Sequence, residues 1–342
     1  MPDYGSRIAD KAIDQTARKI RSVYKDAWFD IKAKMDAFQK RHLAKGKEMF
    51  NKLANGEITQ AEYHAWMRGQ VFIGKQWDQK LDQIAKIMDE ANKEAMGIVR
   101  FGTFNVFAEN YNFEAYKLEK WAKGVVSFNI YNEESVARLL KKNPKMLPEW
   151  KIHERKDYAW NRQKVENCIT QGIIQGEGID QITERLTDAL ITQNENRMRT
   201  FARTGMTGAQ NAGRKAQMDD AEEMGIKVKK KWVATLDNRT RDTHAELDGQ
   251  TVDKDEPFTV TLDDGTEAEI MFPGDPSCEY PELVYNCRCA MVEVYEGIDR
   301  KSVRRAYYDE DDEEYEEGKR KSYMVEDMTY KEWKEWKERG KH

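Results

Sequence analysis

Residues 232–289 are the most informative stretch of this sequence. They read WVATLDNRTRDTHAELDGQTV at 232–252, PF at 257–258, PGDP at 273–276 and NCRC at 286–289. Around them the hydrophobic pattern is extended, because KKKWVATL (229–236), FTVTL (258–262) and AMVEVY (290–295) are β-branched or alternating. Asp263-Asp264-Gly265-Thr266 predicts a hairpin turn after the second of these segments. We therefore expect a small β-containing unit in this region.

The residues upstream of this unit predict helices on which it packs. Residues 153–175 read as one helix, and the capping-box pattern Thr192-Gln193-Asn194-Glu195 predicts the start of a longer helix that ends near Gly225. Small side chains recur along one face of this longer helix, at Ala202, Gly205, Ala209, Ala212 and Ala216. Such a face favours a close approach of the helix backbone to a neighbouring element.

The N-terminal third of the chain predicts long amphipathic helices. Apolar residues recur at steps of three and four along one face, at Ile13, Ala17, Ile20, Tyr24, Ala27 and Ile31. A capping box at Thr59–Glu62 starts a second helix, which predicts a helical hairpin with its turn near Asn55-Gly56. The first 54 residues hold 13 Lys and Arg against 7 Asp and Glu. This basic arm is either merely solvated or faces an anion such as DNA.

Prolines and charge runs divide the chain. We predict a helical region at 1–143, a linker at 144–152 around Pro144 and Pro148, an α+β domain at 153–296, and a charged tail at 297–342. The tail contains the acidic run DEDDEEYEE (309–317), which should resist folding, and a short helix capped by Thr329 and Glu332. The predicted class is α+β, with an elongated, mostly helical N-terminal region and a partly disordered tail.

Composition excludes several classes of protein. The 342 residues include 57 Lys and Arg against 62 Asp and Glu, and the net charge of −5 excludes a uniformly basic nucleic-acid binder. The charged N-terminus and the lack of a long apolar run argue against a signal peptide and against a membrane partner. We therefore expect a cytoplasmic site of synthesis. Four cysteines are too few for a disulfide framework in a chain of this length.

The pattern WxxxxDxRTRxxHxxLDGQ, followed by PGDP and NCRC, closely resembles the C-terminal domain of the phage head morphogenesis family, the minor head proteins similar to protein F of phage Mu. The resemblance covers roughly residues 190–295. It rests on these residues: Arg203, Thr204, Trp232, Asp237, Arg239, Thr240, Arg241, His244, Asp248, Gly249, Pro273, Asp275, Asn286, Cys287, Arg288 and Cys289. The chain departs from the family pattern at Gly205, where an acidic residue is expected.

The resemblance implies a minor capsid protein that acts in procapsid and head assembly at the portal vertex, with a role in DNA packaging or delivery. The implied partners are the portal protein and other phage head proteins, together with non-specific contact to the DNA backbone. The implied location is the virion, in the head interior or at the portal vertex, and the host cytoplasm during assembly. The alternative is an effector or hydrolase, since domains of this family are sometimes joined to toxin modules.

The polar residues of the motif leave three chemical interpretations open. His244, Cys278, Cys287 and Cys289 are sufficient in number and type for a tetrahedral Zn²⁺ site, although Cys-x-Cys is tighter than the usual ligand spacing. Alternatively, no cofactor is bound, Cys287 and Cys289 are small buried strand residues, and His244 hydrogen-bonds an Asp. A third interpretation is a cysteine nucleophile with His244 as base and Asp237 or Asp248 as its orienting carboxylate.

A satisfied polar network would explain the charged residues of the motif without any chemistry. In that arrangement Arg239, Arg241 and Arg288 pair with carboxylates of the same region, which are Asp237, Asp248 and Asp275. Asp237-Asn238-Arg239-Thr240 predicts a turn in which the Asp237 carboxylate accepts a backbone N–H two residues on, and Asp248-Gly249 predicts a second tight turn.

Overall fold

The computed structural model describes residues 4–71, 74–123, 125–147, 154–174, 179–295, 303–308, 310, 312–317 and 321–339. It is an α+β protein with long helices and three small antiparallel sheets among the described residues. Residues 148–152 of the predicted linker lie outside the described residues. No helix in the described ranges combines the length and apolarity needed to cross a membrane.

The helices occupy most of the first 223 residues. They are α1 (Tyr4–Ala54), α2 (Gln60–Val71), α3 (Gly74–Trp121), α4 (Glu133–Lys142), α5 (Glu154–Ile174), α6 (Ile179–Leu186) and α7 (Gln193–Glu223). A 3₁₀ turn lies at Pro144–Met146, and a π-helical segment at Thr187–Thr192 joins α6 to α7.

The strands and short helices follow. They are β1 (Val228–Val233), α8 (Asp242–Leu247), β2 (Thr251–Asp253), β3 (Phe258–Thr261), β4 (Glu267–Ile270), α9 (Pro281–Val284), β5 (Ala290–Tyr295), β6 (Val303–Tyr307), β7 (Ser322–Glu326) and α10 (Tyr330–Glu338). The three sheets have the strand orders β2-β1-β5, β3-β4 and β6-β7.

The chain divides into two compact units. The first unit contains Met1–Thr16, Val99–Trp150 and Thr200–His342, and the second contains Ala17–Ile98 and Lys151–Arg199. Neither unit is continuous in sequence, because α1, α3 and α7 each have residues in both.

The second unit is helical and confirms the predicted amphipathic face of α1. Ile20, Tyr24, Ala27 and Ile31 are buried there. A chain of buried amides crosses this core: the Tyr24 hydroxyl donates to Asn92 at 2.5 Å, and the Asn92 amide donates to Asn194 at 3.1 Å. These hydrogen bonds satisfy polar groups that would otherwise destabilise the core.

One capping box predicted from the sequence forms in this unit and the other does not. Thr59 and Glu62 exchange the expected hydrogen bonds at the start of α2, after a turn in which Gly56 has a φ of 72°. Thr192, by contrast, lies inside continuous helix, and Gln193 is already right-handed helical. The prediction of a helix start at Thr192 is wrong because Leu190 and Ile191 are buried, and their packing favours helix before Thr192.

The first unit confirms the small-residue face of α7. Ala202, Ala209, Ala212 and Ala216 are buried, and a Cβ added at Gly213 would lie 2.4 Å from the backbone oxygen of Phe107. A side chain at position 213 therefore has no room, and α7 packs with its backbone against α3.

The described part of the tail contains more structure than the sequence predicts. The hairpin β6–β7 pairs Val303 with Glu326 and Tyr307 with Ser322. The capping box of Thr329 and Glu332 forms as predicted at the start of α10. A small core joins these elements to the preceding domain, and it consists of Leu236, Ala306, Val325, Tyr330 and Trp333.

Candidate functional site

The NCRC segment lies between α9 and β5, and its backbone conformation explains two residues of the motif. Asn286 has a φ of 56°, in the left-handed region that asparagine tolerates better than most residues. Its backbone N–H donates to the buried Thr204 hydroxyl on α7 at 3.0 Å. Thr204 and Asn286, which are 82 residues apart in sequence, thus fix the start of the segment together.

Side chains of other elements then hold the backbone of the segment. The hydroxyl of Thr207 donates to the Cys287 carbonyl at 2.8 Å, and that of Thr235 donates to the Arg288 carbonyl at 2.7 Å. Asn211 on α7 accepts the Met291 N–H at 2.7 Å. These bonds fix the backbone from Cys287 to Met291.

His244 on α8 lies over the two cysteines of this segment. Its Nδ1 is 3.2 Å from the Cys289 Sγ and 3.7 Å from the Cys287 Sγ. All three residues are buried, and one ligand atom from each lies within 4.8 Å of the other two. The imidazole packs edge-to-face against buried Trp232, with ring centroids 5.9 Å apart. The Nε2 atom of His244 is buried and has no hydrogen-bond partner in the part of the chain that the structure describes.

The environment shifts the pKa values of the two thiols in opposite directions. Although burial raises the pKa of Cys287, hydrogen bonds from Cys289 and the charges of Arg241 and Arg288 hold that pKa below its usual value. The Cys289 amide N–H contributes to this by donating to the Cys287 Sγ at 3.4 Å. Burial and the neighbouring Cys287 raise the pKa of Cys289 well above the ordinary value. Of the two thiols, that of Cys287 is therefore the more readily deprotonated.

Cys278, proposed from the sequence as a fourth ligand, does not join this group. Its Sγ contacts the carbonyl oxygens of Glu269 at 3.6 Å and Tyr280 at 3.8 Å. The close group contains His244, Cys287 and Cys289. The four-residue set is wrong in this respect because the loop that carries Cys278 turns it towards the backbone of β4.

Asp237 forms the centre of the predicted polar network. Its carboxylate forms a bidentate ion pair with Arg288, whose Nη2 donates at 2.8 Å. The same carboxylate accepts the Arg239 backbone N–H at 3.0 Å, as the sequence predicts. Burial raises the pKa of Asp237, but the Arg288 guanidinium outweighs burial and holds it below the usual range. The Arg239 guanidinium is 3.5 Å from the same carboxylate, and the Thr240 hydroxyl donates to the Thr235 carbonyl.

Asp248 is paired with an arginine that sequence reasoning missed. Arg304 on β6 donates to both of its carboxylate oxygens, at 2.8 and 3.0 Å, and to the Ala234 carbonyl at 2.6 Å. The Asp248 carboxylate also accepts the N–H groups of Ala234 and Tyr330. The predicted turn is present, because Gly249 has a φ of 83°. No sequence signal pointed to Arg304, since it lies in the region predicted as a tail.

Three other motif residues hold loops in place. Asp275 accepts the N–H groups of Met271 and Ser277, and burial raises its pKa. The carbonyl of Pro273 accepts a hydrogen bond from Asn211 at 2.9 Å, and Arg241 donates to the Tyr285 carbonyl at 2.8 Å. The expected pairing of arginines with Asp275 is therefore wrong, because backbone amides occupy that carboxylate.

The geometry does not assemble a cysteine–histidine–aspartate triad among the described residues. The hydrogen bonds of His244 are to Cys287 and Cys289, and its Nε2 has no partner. Asp237 is bonded to arginines, and Asp248 is bonded to Arg304 and backbone amides. Neither carboxylate orients the imidazole as a catalytic base would require.

A second buried ionic cluster was also missed from the sequence. Arg214 on α7 is almost fully buried and donates to the Met291 carbonyl at 2.5 Å. Lys117 pairs with Glu114 on its own helix and with Glu293 on β5 at 3.4 Å. Burial raises the pKa of Glu114 well above its usual value. Glu114 and Lys117, three residues apart on a helix, resemble an ordinary surface pair in sequence.

A cavity of about 1150 Å³ in the first unit borders the site. Its lining includes His244, Cys287 and Cys289, together with Arg203, which is exposed, and Arg241. The three clustered residues therefore form part of a wall that faces open space within this unit.

Comparison with known proteins agrees with the motif resemblance. Residues 163–292 match the family model described as Phage Mu protein F like protein. The chain is 26% identical over 302 residues to the minor head protein GP7 of Bacillus phage SPP1, an alignment that covers 88% of each chain. It is 27% identical over 243 residues to the protein YqbB of Bacillus subtilis (strain 168), covering 66% of this chain and 75% of YqbB.

A further relative carries a different name. The chain is 35% identical over 136 residues to the NAD(+)--arginine ADP-ribosyltransferase EFV of Enterococcus faecalis (strain ATCC 700802 / V583). That alignment covers 40% of this chain and spans only 26% of the length of the relative. No solved structure matches the chain.

Proposed function

We propose that this chain, whose residues 163–292 form a domain of the phage Mu protein F-like family, is a phage minor head protein that acts in head assembly. The observation that carries the proposal is the similarity to GP7, because it spans 88% of both chains and so includes the long helices as well as the domain. The protein would then be a component of the virion.

The chemistry of the site supports an assembly role over an enzymatic one. The charged motif residues Asp237, Asp248 and Arg288 are engaged in hydrogen bonds that connect α8, β1, β5 and β6. Such a network stabilises a framework, and among the described residues neither Asp237 nor Asp248 is placed to orient His244 as a catalytic base. The similarity to the ADP-ribosyltransferase spans a quarter of that relative, so it gives no support for transferase activity in this chain.

The portal oligomer is the partner we propose, together with other head proteins. Large apolar side chains near the C-terminal end of α3 support a protein-binding surface, since Trp121 is half exposed and Val125 and Ile130 in the following loop are almost fully exposed. These residues precede α4, whose outer side carries Arg138, Lys141 and Lys142.

Co-expression with the portal protein of the same phage, followed by size-exclusion chromatography, tests this partner. The chain should elute with the portal oligomer at micromolar concentration and low salt. The variant Trp121→Ser/Val125→Ser/Ile130→Ser should weaken this co-elution, whereas the matched variant Phe29→Ser/Phe50→Ser, which removes exposed aromatic residues from α1, should not. Separate elution of the unmodified chain would contradict the partner.

We propose that any contact with the DNA backbone is made by the basic arm at residues 7–52. Its exposed cations include Arg7, Lys11, Arg18 and Lys19. Neutralising these four to Gln should weaken binding to random duplex and reduce the slope of log K against log [salt], because each lost phosphate contact removes about 0.9 from that slope.

A matched variant separates this arm from general surface charge. It neutralises four exposed cations in and after α4, which are Arg138, Lys141, Lys142 and Lys145. Its salt slope should remain that of the unmodified chain. An equal reduction in both variants, or a slope near zero for the unmodified chain, would contradict the role of the arm.

A further inference from the structure

We infer that His244, Cys287 and Cys289 bind one Zn²⁺ ion, with Cys278 excluded and with the fourth coordination position open to the cavity. The three residues are contributed by α8 and by the segment that enters β5. Two thiolates and one imidazole are the donor types that select Zn²⁺ among the common divalent ions. The site is independent of the proposed role in head assembly.

The distances fit tetrahedral coordination. With Zn–N of about 2.0 Å and Zn–S of about 2.3 Å, a tetrahedral angle places a nitrogen and a sulfur ligand about 3.5 Å apart. The Nδ1 of His244 lies 3.2 Å from the Cys289 Sγ and 3.7 Å from the Cys287 Sγ, on either side of that value. Both nitrogen–sulfur distances therefore agree with tetrahedral coordination to within a few tenths of an ångström.

Burial and hydrogen bonding also favour a metal. Three ionisable side chains are buried together, and the Nε2 of His244 is buried with no hydrogen-bond partner among the described residues. The proton of neutral His244 would lie on Nε2, which leaves Nδ1 free to coordinate. The Cys289 N–H that donates to the Cys287 Sγ favours the thiolate form.

The residues around the ligands pre-organise them. Thr207 donates to the Cys287 carbonyl at 2.8 Å, and Thr235 donates to the Arg288 carbonyl at 2.7 Å, so the Cys-Arg-Cys backbone is held from both sides. Such supporting contacts orient metal ligands and tune their affinity. The third ligand, His244, comes from a separate helix rather than from a second cysteine pair. The tight Cys-x-Cys spacing therefore has to place only two of the ligands.

The charge balance is complete. Binding of Zn²⁺ displaces the two thiol protons, and the ion with two thiolates and a neutral imidazole has no net charge. A neutral unit is far less costly to bury than an uncompensated thiolate. The fourth ligand is then a water molecule from the cavity that His244, Cys287 and Cys289 line.

The experiment uses the full chain, loaded with Zn²⁺ and freed of loosely bound ions, with metal measured by mass spectrometry. We expect about one equivalent for the unmodified chain and for Cys278→Ala, and a loss of most of the metal for Cys289→Ala and His244→Ala. A chain that holds no metal would overturn the inference, and so would a similar loss of metal from Cys278→Ala.

Substitution with Co²⁺ gives a readout that does not depend on any variant folding. The unmodified chain loaded with Co²⁺ should show the near-ultraviolet charge-transfer absorption of thiolate ligation and the visible bands of a tetrahedral ion. Added azide should shift the visible bands by entering the open position. Absence of charge-transfer absorption would overturn thiolate binding, and visible bands unaffected by azide would overturn the open fourth position.

Discussion

Removal of the Arg304 guanidinium should unfold the C-terminal elements of the chain. Arg304 reaches from β6 to the Asp248 carboxylate with two hydrogen bonds, at 2.8 and 3.0 Å, and both side chains are almost fully buried. The same guanidinium donates to the carbonyls of Ala234 and Met328. Arg304→Ala therefore leaves a buried carboxylate without its counter-charge and two carbonyls without a donor.

The cost of breaking one partner of such a buried pair is about 3–5 kcal/mol. At about 2–4 °C per kcal/mol for a folding unit of 150–250 residues, this predicts a melting temperature lower by about 6–20 °C. The matched control is Lys229→Ala, because Lys229 forms an exposed ion pair with Asp253 at 3.4 Å on the neighbouring strand. That pair should contribute about 1 kcal/mol at most.

The assay is thermal unfolding of the full chain, combined with hydrogen exchange of the segment 303–339. Arg304→Ala should lose exchange protection first in β6, β7 and α10, because Asp248 also accepts the Tyr330 N–H at the start of α10. Adding Asp248→Asn to Arg304→Ala should cost less than Asp248→Asn costs alone, since the two changes remove one shared interaction. A melting temperature within the range of Lys229→Ala would refute the reasoning.

Three further predictions concern the effect of single residues on stability. Burial lowers the pKa of Lys230 to about 8, so between about pH 8 and 10.4 the folded state binds fewer protons than the unfolded state, and stability should rise with pH in that window. Lys230→Met should abolish this rise when thermal unfolding is measured against pH, whereas Lys229→Met should keep it. Gly213→Ala should lower the free energy of unfolding by about 1–3 kcal/mol, because the added methyl group clashes with the α3 backbone. Gly97→Ala, on an open helix face, should raise the free energy of unfolding by about 0.5–1 kcal/mol. Asn286→Ala should cost about 1 kcal/mol in denaturant unfolding because of its left-handed φ, and Asn286→Gly should cost less; equal costs for the last two would contradict the backbone argument.

Much of the local structure could be predicted from the sequence because its signals are local. The capping boxes at Thr59 and Thr329 and the turns at Gly56 and Gly249 depend on a few neighbouring residues, and all four are present. Thr192 matched the same capping pattern and is nevertheless helical, because tertiary burial of the preceding residues outweighs a cap of about 1 kcal/mol.

The parts of the site that could not be predicted depend on distant partners. Arg304 pairs with Asp248 across 56 residues, and Thr204 meets Asn286 across 82. No periodicity in a single sequence encodes such pairings. Cys278 shows the converse error, since the number and type of residues suggested a site shared with His244, Cys287 and Cys289, whereas the loop turns the Cys278 thiol towards the Glu269 carbonyl.

The measurement that tests the central claim most directly is the location of this chain in purified phage particles, by cross-linking mass spectrometry and cryo-electron microscopy of procapsids and filled heads. The account predicts peptides of the chain in the particles, with cross-links to the portal oligomer and density adjoining it. Particles that assemble normally, package DNA and contain no trace of the chain would contradict it.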